Sequence, residues 1–83
     1  GGLMAKVALL YFASLREAAG CEREEVDTAA ADLASLYAEA AARHGLRWPR
    51  ERLRVAMDGG FAAWSDAPRE GSEVAFIPPV SGG

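Results

Sequence analysis

Glu73-Val74-Ala75-Phe76-Ile77, closed by Pro78-Pro79, is the stretch on which the fold turns. Its residues are mostly apolar and β-prone, and two prolines cannot continue a central ladder, so a strand is expected to end at Ile77. A matching stretch lies near the other end of the chain. Lys6-Val7-Ala8-Leu9-Leu10-Tyr11-Phe12-Ala13 is apolar without alternation, which predicts a central strand covered on most of both faces. The two most apolar strands of a sheet belong in its middle, side by side. The chain returns between them through a long crossover, so they are expected to run parallel.

Between these strands the pattern changes period. Leu33, Leu36, Tyr37, Ala40 and His44 recur at helical spacing, so Asp32 to His44 is read as the main helix, with Gly45 at its end. Thr28 or Asp27 is the expected N-cap, although a capping box from Thr28 would want its acid at 31 and the acid is Asp32. Ser14 to Gly20 has the helix formers for one or two turns. Glu22 to Asp27 carries four acids around one valine, which suits a solvated edge strand. Arg52 to Met57 alternates Leu53, Val55 and Met57 with Arg54 and Ala56, a half-buried strand. Asp58-Gly59 then marks a hairpin, and Phe61 to Trp64 its second strand. The order β-α-β-α-β-β-β is an α+β plan: a mixed sheet of four to five strands packed on one main helix, the β-grasp arrangement of ubiquitin-like proteins.

Size and charge exclude several classes. The chain has 83 residues, enough for one domain. Lys and Arg number 9 against 12 Asp and Glu, a net charge of -3, which argues against general nucleic-acid binding. No apolar run approaches the ~20 residues of a membrane helix, and no secretory leader is read. One cysteine, Cys21, cannot form an internal disulfide, which fits a reducing cytoplasmic setting. One histidine and one cysteine leave no zinc site within the chain. Gly1-Gly2-Leu3 before Met4 reads as an expression scar. Residues 4–77 then form the domain and residues 78–83 a flexible tail.

Side chains with chemistry are few. Cys21 is read as a lone thiol at a turn, since Glu22 beside it disfavours the thiolate. His44 sits where a cation complements the negative end of the helix. Arg43, Arg47, Arg50, Arg52 and Arg54 are read as a solvated face, and Trp48 and Trp64 as packing groups at the sheet margins. Phe12 and Ile77 remain open between two readings: core residues, or anchors for a partner beside the point where the tail leaves.

The run Gly71-Ser72-Glu73-Val74-Ala75-Phe76-Ile77-Pro78-Pro79-Val80-Ser81-Gly82-Gly83, together with Tyr11-Phe12-Ala13-Ser14-Leu15-Arg16-Glu17, resembles the small, sulfur-carrying subunits of molybdopterin synthase. The resemblance spans residues 4–83. It departs from the family pattern at Ser72, often aspartate there, and near Met57-Asp58, where an asparagine is common. It implies a sulfur carrier. An E1-like partner enzyme would adenylate the Gly83 carboxylate with ATP, and a persulfide donor would convert it to a thiocarboxylate. The large synthase subunit would accept the tail and pass the sulfur to cyclic pyranopterin monophosphate in molybdenum cofactor biosynthesis. Catalytic side chains are expected on that subunit, and no bound cofactor, nucleic acid or membrane is implied for this chain.

The residues themselves suit such a role. A carboxylate is a poor electrophile until it carries a good leaving group, and its carbon must then reach two active sites in turn. A thin arm ending in a main-chain carboxylate meets both needs. Gly82 and Gly83 lack a Cβ and can thread a narrow channel. Pro78 and Pro79 stiffen the base of the arm, and Val80 and Ser81 complete it. Two alternatives stay open: a carrier for thiamine or tRNA thiolation, and a ubiquitin-like adaptor or modifier.

Overall fold

The computed structural model describes residues 4–79. A five-stranded mixed sheet carries the main helix on one face. The elements are β1 (Ala5–Tyr11), α1 (Ala13–Ala19), β2 (Arg23–Thr28), α2 (Leu33–His44), a 3-10 turn at Arg50–Arg52, β3 (Arg54–Met57), β4 (Gly60–Ala62) and β5 (Glu73–Ile77). The strand order is β2-β1-β5-β3-β4. As expected, β1 and β5 are central and parallel, with Leu10 beside Ala75 and Tyr11 beside Phe76. The acidic β2 lies at one edge and the short β4 at the other. This is the ubiquitin-like β-grasp fold. Among the described residues no helix is long and apolar enough to cross a membrane.

Alternation along the strands decides what the helix covers. Val7, Leu9 and Tyr11 of β1, Val55 of β3, and Val74 and Phe76 of β5 face α2, which answers with Leu33, Leu36, Tyr37 and Ala40. All are buried, and Phe76, Leu9, Val74 and Leu33 have no accessible surface. Aromatic rings close the middle of this core: Tyr37 meets Phe76 edge-on at 5.1 Å, and Trp64 stacks on Phe76 at 6.2 Å. Trp48 and Trp64 thus pack at the core margins, the role read for them, and the Trp48 indole donates to Ser14 Oγ.

Four sequence expectations are corrected. The N-cap of α2 is Asp32, whose carboxylate accepts from the Ser35 N–H at 2.8 Å, rather than Thr28 or Asp27. The neighbouring orphan donors, Leu33 and Ala34 N–H, find the carbonyls of Asp66 and Trp64. Thr28 is instead buried, its hydroxyl accepting from Ala30 N–H and donating to Glu39. Strand β1 stops at Tyr11, because Ala13 turns into the left-handed region (φ 51) and opens α1. Residues 50–52 form a 3-10 turn that delays β3 to Arg54. Finally, β4 ends at Ala62, which leaves Trp64 in the following turn.

The hairpin is made as read. Asp58 (φ 53) and Gly59 (φ 88) both take positive φ, the turn that matches strand twist. Asp58 Oδ1 also accepts from the Glu73 N–H at 2.9 Å, which ties the hairpin to the start of β5.

Candidate functional site

Among the described residues both helices pack into the same core and none covers the second face of the sheet, so β1 is covered there on one face and not on both. Neighbouring strands set a row across this open face, Arg23-Leu10-Ala75-Ala56-Phe61, each residue beside the next in register. Two alanines lie in the middle of the row, with larger side chains at its ends. The result is a shallow trough of about 310 Å³ lined by Leu10, Phe12, Ala56, Phe61, Ala75 and Ile77, together with Gly59 and Glu73. A second hollow of about 470 Å³ shares Leu10 and Phe12 and adds Tyr11, Arg16, Glu22 and Arg23. Phe12 is therefore a ridge between two hollows.

Of the two readings of Phe12 and Ile77, the geometry removes the first: neither belongs to the core. Phe12 is 48% exposed, directly after the end of β1, and contributes nothing to the core. Ile77 is half-buried on the same face, at the last position of β5. Both stand beside the point where the chain leaves the sheet. Phe61, which sequence reading took only as part of a strand, is 68% exposed at the far wall of the trough. Its signal was available in the hairpin alternation, which puts Phe61 opposite Ala56, on the side away from Val55. Exposed aromatic groups around a trough of small side chains form the kind of surface that a partner buries.

Of the expected tail, Pro78 is buried and Pro79 exposed, immediately after β5. Val80, Ser81, Gly82 and Gly83 lie outside the described residues, as does Gly1-Gly2-Leu3. The arm thus starts at the edge of the open face, next to Ile77, Phe12 and Arg54, the cross-strand neighbour of Ile77.

The remaining chemical groups are drawn into structure. Cys21 is half-buried and packs against the core. His44, on the last turn of α2, joins a cluster on the helix-covered face around Glu24 of β2. Glu24 Oε2 accepts from Tyr11 OH at 2.5 Å, His44 Nε2 at 2.7 Å and Arg43 Nη2 at 3.0 Å. Partial burial works against this carboxylate, but the three donors outweigh it and hold the carboxyl at about 2, against an ordinary 4.5. Burial and the adjoining Glu24 charge push the Tyr11 phenol up. The cluster fastens an edge strand to the helix end and lies away from the trough. The arginines do not converge on one anion: Arg43 serves Glu24, Arg50 lies 3.7 Å from Glu51, Arg52 stacks on Trp48, and Arg54 stacks on Phe61. Among the described residues no group of three His, Cys, Asp or Glu side chains is placed to hold a metal ion.

Residues 9–83 match the ThiS family. The chain is 38% identical over 85 residues to the molybdopterin synthase sulfur carrier subunit of Mycobacterium tuberculosis, covering 96% of this chain and all of that one. It is 37% identical over 89 residues to the protein of the same name from Drosophila erecta, covering 99% and 96%. Among solved structures, a putative molybdopterin converting factor subunit 1 from Pyrococcus furiosus superposes with a TM-score of 0.76 at 26% identity, covering 92% of this chain and 99% of that one. The small archaeal modifier protein 1 of Haloferax volcanii gives 0.76, also at 26% identity and with the same coverage.

Proposed function

This chain belongs to the ThiS family, and on that premise we propose that it is the sulfur carrier subunit of a molybdopterin synthase, with the Gly83 carboxylate as the group that carries sulfur. The observation that carries the proposal is that the sequence Pro78-Pro79-Val80-Ser81-Gly82-Gly83 follows directly on the last central strand, whose final residue, Ile77, lines an open apolar face. The names of the two relatives, at 38% and 37% identity, favour molybdopterin over thiamine or tRNA thiolation.

In this proposal a partner enzyme transfers an adenylyl group from ATP to the Gly83 carboxylate and releases pyrophosphate. A persulfide donor then attacks the acyl carbon, AMP leaves, and reduction of the resulting acyl disulfide by a thiol frees the thiocarboxylate. The large synthase subunit takes the tail into its active site and directs the sulfur to the pterin precursor. This chain supplies the folded body, the trough that docks, and an arm of small residues. The groups that move protons and stabilise charge belong to the partners.

Incubation with the cognate activating enzyme, ATP and a sulfur donor tests the proposal. Intact-mass and C-terminal peptide spectrometry should show one oxygen replaced by sulfur at Gly83. Cys21→Ser should accept sulfur equally well. Sulfur on Cys21 with an unmodified terminus would remove the proposal. The likeness to a small archaeal modifier protein supports a second reading, attachment of Gly83 to lysine side chains of other proteins. Recovery of branched lysine peptides without thiocarboxylate would favour it.

A further inference from the structure

We propose that Arg54 selects the partner by receiving a carboxylate from it at the edge of the trough. This deepens the docking role proposed above and rests on it. Strand alternation puts Arg54 on the open face, exposed, with Ile77 as its neighbour on β5. Its guanidinium carbon lies 4.3 Å from the centre of the Phe61 ring. Stacking of this kind covers one side of the guanidinium and restrains its fork, leaving the in-plane N–H donors directed outward.

The charges on this face are unequal in a telling way. Arg23, at the opposite end of the row, is already paired with Glu73 at 2.6 Å. Among the described residues no carboxylate lies within 4.0 Å of Arg54. Among the described residues, the margins of the trough therefore carry one satisfied ion pair and one stacked guanidinium with no carboxylate in reach, in a chain whose net charge is -3. A planar guanidinium beside apolar surface matches a carboxylate through two parallel hydrogen bonds. The partner that fits presents an apolar ridge to the trough and an Asp or Glu opposite Arg54. Such a pair at the edge of an apolar contact governs which partner docks and how fast.

The test measures binding of the full-length chain to the cognate large synthase subunit at several salt concentrations, with free-chain melting as the check on folding. Arg54→Met should bind about tenfold more weakly at low salt, with a flatter salt dependence and unchanged melting. Arg54→Lys keeps the charge but loses the fork and should fall between the two. Phe12→Ala probes docking through the face independently. If Phe12→Ala weakens binding while Arg54→Met matches the parent at every salt concentration, the inference is overturned and the docking role stands. If neither weakens binding, both fall. If the Arg54→Met difference disappears when the Gly83 carboxylate is converted to an amide, the guanidinium serves this chain's own terminus, which also overturns the inference.

Discussion

His44 Nε2, on the last residue of α2, lies 2.7 Å from Glu24 Oε2 on edge strand β2. Tyr11 and Arg43 donate to the same oxygen, so three elements meet on one carboxylate. An edge strand with three acids around one valine has little apolar surface to hold it, and this contact supplies part of what burial does elsewhere. Thr28 and Glu39 make a second tie further along the same strand.

The Glu24 carboxyl is held at about 2 in the folded chain, below its ordinary 4.5. A depressed carboxyl stabilises the fold above its unfolded value and loses that contribution as pH falls through the folded one. Stability should therefore decline between about pH 4.5 and 2, by roughly 2 kcal/mol from this group after allowance for its partial exposure. In Glu24→Gln that part of the decline should be absent, and stability at pH 7 should be lower by a similar amount. Urea unfolding across pH measures both.

Phe12 and Phe76 should respond oppositely to truncation. Phe12→Ala removes an exposed ring and should weaken docking to the large subunit by about 1–3 kcal/mol, with little change in folding. Phe76→Ala empties the centre of the aromatic cluster and should cost about 3–5 kcal/mol of stability. Titration calorimetry against the large subunit, paired with denaturant unfolding, separates the two. A destabilised but fully binding Phe12→Ala would contradict the exposed position of that ring.

Extending the chain by one residue beyond Gly83 moves the carbonyl proposed to carry sulfur by up to ~3.6 Å. A displacement of about 1 Å can already slow an aligned reaction ~100-fold. Single-turnover sulfur transfer should be lost, while melting of the free chain stays the same. Gly82→Val should also block transfer, because a β-branched side chain is stiff and bulky in a narrow channel.

Gly59 takes φ 88 in the hairpin turn, with open space where a Cβ would stand. Gly59→Ala should therefore destabilise through the backbone alone, by about 1 kcal/mol. The change should appear as a lower unfolding midpoint with an unaltered denaturant slope. An Asn at the same position should lose less, since it tolerates the left-handed region better.

The fold was legible because its strongest signals are periodic. Leu33, Leu36, Tyr37 and Ala40 announce one helix face, and Glu73–Ile77 has the bounds expected of it. The N-cap escaped because Asp32 is defined by where the helix begins, and that depends on carbonyls of Trp64 and Asp66 far along the chain. Leu10 and Phe12 were harder still. Their apolarity reads equally as burial under a second layer or as a surface kept for a partner, and a single sequence does not say which covering it awaits. The Glu24 cluster was invisible for a related reason: its donors come from residues 11, 43 and 44, and only strand register brings them together.

The middle strand of the sheet is also the last one made. Strand β5 lies between β1 and β3 and joins the β2-β1 pair to the β3-β4 pair. A chain cut short before Glu73 would be left with two separate strand pairs, neither a stable sheet alone. During synthesis the sheet therefore closes only after β5 has emerged, later than every other strand and both helices. Copies cut before β5 would stay unfolded and open to proteases, so folding itself proofreads for chains that reach at least Ile77.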